Sequence, residues 1–348
     1  NTFTPALDFE LMTGSTITGL TLSGTKGAAT VNNVAAGVGL TVNANAGAAV
    51  TTIGVKNAAT GTADSFAITF AGTAGTTATA TSKDLINAGT IDVDGVENIT
   101  IASNGTGFVT NSITLTDDKL KTLSIDGSQD LSVAFAVTTG TNTGAGLGGA
   151  VNMIDGSAAT GKLTINTANV TADDKVGVGL TVKGGSADDS ITIAQVATVD
   201  GGAGNDTITT SNLGGTLTGG AGNDTFDVSA AVAIAGAITE ATGAFKTTIT
   251  DIAAGDKIIL AAAAASFTAD KVALDNTVNN LDQALNQATI SPATNATTWF
   301  QYANNTYIVV NDGNLGFGAG DQVIKLSGLV DLSTASYSGA ATDTLTIA

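Results

Sequence analysis

Cysteine, histidine and arginine are all missing from this chain of 348 residues. Without histidine there is no Ser-His-Asp triad, no Cys-His pair and no HExxH zinc site. Without cysteine there are no disulfides, iron–sulfur clusters or thiolate zinc sites. A long chain with no thiol points to a place outside the cell reached without disulfides. The 12 basic residues are all lysine, against 30 acidic ones, for a net charge of −18. That balance leaves little to neutralise phosphates, so nucleic acid is not an expected partner. Only 2 prolines argue against a proline-rich stalk. No apolar run reaches the ~18 residues of a membrane-spanning helix. Asn1 to Gly14 shows no basic segment followed by an apolar core, so no N-terminal export signal is expected there.

What is present is small. The chain has 44 glycines, abundant alanine and threonine, and 4% aromatics. Hydrophobic residues still make up 43%, and the mean hydropathy is +0.29, which excludes an acidic disordered chain. Nearly all the negative charge is aspartate; the glutamates are Glu10, Glu97 and Glu240.

Residues 1–180 read as short strands between Gly, Asn and Asp turns. Ile17–Leu22, Phe66–Phe70, Ile91–Val93, Asn98–Ile101, Ile113–Thr116, Leu123–Ile125, Leu131–Phe135 and Leu163–Ile165 alternate apolar and small polar residues. Thr81–Asn87 is the one stretch with a helical look. Strands spaced this way without long helices between them predict a β-sandwich or a stacked β-solenoid.

Residues 181–240 hold the most specific pattern. Residues 184–192 read GGSADDSIT, 201–209 GGAGNDTIT and 219–227 GGAGNDTFD. This is a nonapeptide GGxGxDxUx, with U a large apolar residue. The two intact copies are 18 residues apart, which is two nonapeptides. Six residues make a tight glycine-dependent turn and three make a short strand with U inward. If one coil uses two nonapeptides, Asp206 and Asp224 lie one above the other. Stacked carboxylates repel unless a cation sits between them. Carboxylates together with the backbone carbonyls of Gly201, Ala203, Gly219 and Ala221 suit Ca²⁺, a hard cation that takes six or more oxygens. Ile191, Ile208, Leu217 and Phe226 would form a core thin enough for metal binding to drive folding. The degenerate copy, with Gly184, Ser186 and the Asp188–Asp189 pair, is a further candidate. The pairs Asp117–Asp118 and Asp173–Asp174 read as turns or strand-end caps.

Residues 241–348 change character. Ile249–Leu260 reads strand–turn–strand, with Asp251 and Asp256 bracketing a glycine turn as further candidate metal ligands. An amphipathic helix is expected over about Ala269–Ala288. Its stripe is Leu274, Val278, Leu281, Leu285 and Ala288, with Asp270 as N-cap. A hairpin follows, Thr298–Tyr302 and Thr306–Asn311 about Asn304–Asn305. Val323–Leu326 and Leu345–Ile347 continue the sheet. Trp299, Phe300, Tyr302, Tyr307 and Phe317 form the expected core of this part.

The two intact nonapeptides resemble the calcium repeats of the repeats-in-toxin (RTX) family. ITDIAAGDKIIL (249–260) resembles the strand that follows such repeats in proteins exported by bacterial type I secretion. NTYIVVNDGNLGFGAGDQVIKLSGLVDLS (305–333) resembles their C-terminal secretion region. VENITI (96–101) and LTDDKLKTLSIDGSQDLSV (115–133) resemble Gram-negative surface-layer (S-layer) proteins. The likeness runs from about Val96 to the C-terminus. It implies a parallel β-roll binding several Ca²⁺ ions through Gly201, Ala203, Asp206, Gly219, Ala221 and Asp224. Gly202, Gly204, Gly220 and Gly222 would lend turn carbonyls. It also implies export through a type I secretion apparatus, directed by an uncleaved C-terminal signal.

The expected function is structural. The chain would be part of a calcium-dependent S-layer protein on a Gram-negative cell surface, assembling with copies of itself into a two-dimensional lattice. Lipopolysaccharide is a possible anchor. The alternative is a secreted RTX adhesin that forms no lattice. A polysaccharide lyase or epimerase is disfavoured, because groove chemistry of that kind uses Tyr, His, Arg or Lys. The tyrosines, Tyr302, Tyr307 and Tyr337, are all near the C-terminal end.

Overall fold

The computed structural model describes residues 7–12, 17–24, 27–47, 49–117, 119–136, 151–168, 179–231, 247–261, 266–290, 296–314, 316–318, 320–339 and 343–348. The chain divides into two compact units, 1–192 and 193–348.

In the first unit the strands are β1 (Leu7–Asp8), β2 (Gly19–Leu22), β3 (Ala29–Val34), β4 (Gly39–Val42), β5 (Val50–Val55), β6 (Ser65–Phe70), β7 (Asp84–Asp92), β8 (Asn98–Ser103), β9 (Val109–Thr116), β10 (Thr122–Gly127), β11 (Asp130–Phe135), β12 (Met153–Ala159), β13 (Leu163–Asn166), β14 (Leu180–Lys183) and β15 (Ser190–Ile193). Odd-numbered strands form one parallel sheet and even-numbered strands another, each in chain order. Consecutive strands therefore alternate between two sheets, as in a β-solenoid. Phe66, Ile99, Leu123 and Ile154 pair in one column although unequal stretches of chain separate them. All four are buried. The alternation seen in the sequence sets this: one face of each strand fills the interior and the other carries Thr, Ser and Asn. Every expected strand of this region is present, most within a residue or two of the expected bounds; β7 and β9 start seven and four residues earlier than Ile91 and Ile113. Thr81–Asn87 is not helical. Thr79 and Ser82 form an isolated bridge, and β7 begins at Asp84. Its Ile86, Ala88 and Ile91 face the interior, so period-two burial prevails over a weak helical pattern.

The second unit contains β16 (Ala197–Ala203), β17 (Thr207–Thr210), β18 (Gly215–Ala221), β19 (Thr225–Asp227), β20 (Thr247–Ile249) and β21 (Lys257–Ile259). They stack in the same two-sheet manner, β16-β18-β20 and β17-β19-β21. Ile208, Leu217, Phe226, Ile249 and Ile258 are fully buried, which places each U residue inward as expected. Beyond them come β22 (Ser266–Phe267), the helix α1 (Leu281–Thr289), β23 (Ala296–Tyr302), β24 (Asn305–Val310), β25 (Gln322–Leu326), β26 (Ser336–Ser338) and β27 (Thr344–Thr346). Here pairing turns antiparallel, β23 with β24 and β24 with β25, while β25 joins β20 in parallel.

The helix is shorter than the stripe predicted. It starts at Leu281, and its N-cap is Asn280, whose side chain accepts from the Gln283 N–H, rather than Asp270. Upstream, the Asp275 carboxylate accepts from the Thr277 N–H at 2.8 Å, a local turn that competes with helix. Leu274 and Val278 still pack against the cluster that includes Leu281, Leu285, Phe300 and Tyr307, so the apolar contacts form without helical backbone. Phe300 and Tyr307 stack with ring centroids 5.2 Å apart. The hairpin turns on Ala303 and Asn304, both at positive φ, and Asn305 already belongs to β24. Among the described residues no helix is long and apolar enough to cross a membrane.

Candidate metal centre

The second unit stacks three six-residue turns, 201–206, 219–224 and 251–256. Gly202 pairs with Gly220, and Ala203 with Ala221. Thr207, Thr225 and Lys257, the residues that follow each turn, are also in register. Leu217 pairs with Ile249, which puts Asp251 at the level of Gly219 and Asp256 at the level of Asp224. The 18-residue spacing thus predicts the first stack. The third turn joins it across a much longer stretch of chain.

Asp206, Asp224 and Asp256 are all buried, at 1–2% exposure. The Asp206 N–H donates to Asp224 Oδ1 at 2.8 Å, and the Asp224 N–H donates to Asp256 Oδ1 at 2.8 Å. Asp224 and Asp256 therefore each cap the equivalent residue of the turn before. Burial pushes the Asp224 carboxyl up from its ordinary value; the bond from Asp206 opposes this, and the carboxylates of Asp256 and Asp251 push it further up. The ladder is a column of buried carboxylates, and at Asp224 the hydrogen bond it accepts does not cancel the cost of burial.

The glycines shape the cradle. Gly202 and Gly220 have φ of 104° and 100°, a region L side chains avoid. A Cβ on Gly219 would collide with Asp224 Oδ2, and one on Gly201 with Asp206 Oδ2 and the Gly219 carbonyl. A Cβ on Gly222 would strike the Gly204 carbonyl. The space a side chain would fill is thus bordered by carboxylate and carbonyl oxygens. A donor set of oxygens alone suits a hard cation such as Ca²⁺ and no soft metal. Among the described residues no group of three or more His, Cys, Asp or Glu side chains is gathered as a metal cluster, so any such site would draw on backbone carbonyls as well.

The degenerate turn lies in the first unit and splits its aspartates. Asp189 is buried, with Oδ1 accepting from the Leu163 N–H at 2.7 Å and Oδ2 from the Gly185 N–H at 2.6 Å. Burial raises its carboxyl, against both bonds. Asp188 and Ser186 are exposed, while Gly184 is buried. Asp117 accepts from the Lys119 N–H at 2.8 Å, a turn cap as expected. Asp118 and Asp173–Asp174 lie outside the described residues.

Two features of the second unit escaped the sequence reading. Asn205 Oδ1 accepts from the Asn223 N–H at 2.8 Å, so the fifth position of the turn also links rungs. Asp321, at 1% exposure, repeats the capping device: Oδ1 accepts from the Asp312 N–H at 2.8 Å and Oδ2 from the Gly318 N–H at 2.7 Å. The available signal was the likeness of GAGDQV to AAGDKI, each an aspartate after a positive-φ glycine at the start of a strand. No protein-family model matches the chain, and no curated protein is found similar to it.

Proposed function

We propose that this chain is part of a calcium-dependent structural protein of the cell surface, built on an RTX-type β-roll. The reading rests on one observation: a register-stacked column of buried aspartates beside glycine-lined carbonyls. In it, Asp206, Asp224 and Asp256 hold Ca²⁺ together with the turn carbonyls of Gly201, Ala203, Gly219 and Ala221, aided by Gly202, Gly204, Gly220 and Gly222. Asp189, with Gly184, marks a further position in the first unit. Bound calcium supplies the positive charge that offsets the burial of these carboxylates.

Export follows the type I route, with the aspartate-rich turns open at low cytosolic calcium and folded outside at millimolar calcium. Outside the cell the protein is non-enzymatic and packs with copies of itself into an S-layer lattice on a Gram-negative surface, with lipopolysaccharide as the anchor. Neutralising part of the −18 charge favours such side-by-side packing.

The test is a calcium titration of the purified protein, followed by circular dichroism and light scattering, with electron microscopy of the saturated sample. Folding together with ordered two-dimensional arrays that dissolve in chelator is the expected result. Folding into dispersed particles would replace the lattice reading with the adhesin one. No calcium response would overturn both.

A further inference from the structure

The three stacked turns of the second unit differ at their first position. The turns 201–206 and 219–224 begin with glycine, and 251–256 begins with Asp251. At the second turn glycine is required, because a Cβ on Gly219 would collide with Asp224 Oδ2. The third turn carries that Cβ, and its buried carboxylate is arranged differently: Asp256 Oδ2 accepts from the Ala253 N–H at 2.7 Å. The half-buried Asp251 carboxylate instead reaches the turn before it. Oδ1 accepts from the Gly219 N–H at 2.9 Å and Oδ2 from the Gly220 N–H at 2.8 Å. With the Asp224 N–H held by Asp256, three backbone donors of the 219–224 turn are fixed from the third turn. A carboxylate that takes one N–H on each oxygen is a strong anchor for a glycine pair that would otherwise be the loosest part of the turn.

We propose that Asp251 is a positioning residue: it clamps Gly219 and Gly220 so that the 219–224 turn is already shaped before a cation arrives. This rests on the calcium reading above for its consequence, not for its geometry. A clamped turn has less conformational freedom to lose on binding, so calcium binds and folds the roll at lower concentration. Asp251 thereby acts on affinity without being a ligand.

The experiment compares full-length wild type with Asp251→Ala and the milder Asp251→Asn. It measures calcium midpoint, calcium bound per chain at saturation, and amide exchange at residues 219 and 220. Expected are a midpoint raised about tenfold in Asp251→Ala, an intermediate rise in Asp251→Asn, faster exchange at both glycines, and an unchanged calcium count. A count lower by one would make Asp251 a ligand and overturn the proposal. So would an unmoved midpoint. If wild type shows no calcium response, the calcium reading fails by itself. The clamp is then judged on exchange in metal-free protein, where unchanged rates at Gly219 and Gly220 overturn it.

Discussion

The coils of the first unit and the aspartate turns of the second share one strand geometry but hold their turns by different means. In the first unit neutral groups and mixed charges tie many turns. Ser103 Oγ donates to the Gln129 carbonyl at 2.9 Å, and the buried Asn111 donates to Ser103 Oγ and to the Asn104 carbonyl. Lys83 pairs with Asp130 at 2.6 Å. Among the described residues its buried carboxylates, Glu97, Asp117 and Asp189, each accept from backbone N–H groups, but no two of them cap successive turns in one column. In the second unit the buried carboxylates of two successive turns, Asp224 and Asp256, each cap the turn before, and the half-buried Asp251 adds to the second cap. The calcium reading therefore bears on the column of buried carboxylates in the second unit and not on the stacked strands as such. Coil length does not follow this division. The intact aspartate turns recur at 18 residues, yet the same backbone-to-carboxylate bond joins Asp224 to Asp256 across 32 residues, so the bond fixes the level of a turn and not the length of the coil behind it.

The largest effect should come from removing calcium. In chelator, hydrogen exchange at β17 and β19 should rise to near-unfolded rates, while β8, β9 and β10 stay protected. Equal loss across both regions would erase the comparison. Next, Asp224→Asn should destabilise the protein by about 1–3 kcal/mol in calcium, because the cap on Asp206 weakens and a ligand is altered. In chelator the sign should reverse, since a desolvated charge beside Asp251 and Asp256 is gone. Urea titrations with and without calcium read both, and destabilisation in both conditions would mean the carboxylate serves hydrogen bonding alone.

The smallest effect concerns pH. Burial raises the Asp321 carboxyl above its ordinary value, its two backbone bonds oppose that, and Asp312 adds to it. A raised folded value means the proton prefers the folded state. That stability is complete below the ordinary value of about 4 and is lost as pH rises through the raised one. Melting temperature should therefore climb as pH falls from 7 towards 4. Asp321→Asn should flatten part of that climb, and an unchanged slope would remove Asp321 from it.

Much of this was readable in the residues. Alternating Val, Ile, Leu and Thr placed the strands, because a half-buried strand needs that period whatever it packs against. The repeated GGAGND placed two turns in register. Other features depended on partners remote in the chain. Asp251 could be seen as acidic but not as lying at the level of Gly219, since masked from view in the linear order is how many residues the intervening coil consumes. The Asp188–Asp189 pair looked like a unit, yet strand alternation turns one inward and the other to solvent. The helix ended short because its stripe was satisfied by packing, and packing does not demand helical backbone for Leu274 and Val278.

By itself, then, the sequence determined the β class, the inward residues, the glycine-dependent turns and the exclusion of thiol and imidazole chemistry. These follow from local sterics, periodicity and composition. Tertiary structure alone decided that Asp206, Asp224 and Asp256 form one buried column and that Asp251 reaches back to Gly219 and Gly220. It also decided that Asp321 repeats the cap. Those facts depend on which coil lies on which, and register between coils is set by the summed burial of whole strands rather than by any one turn.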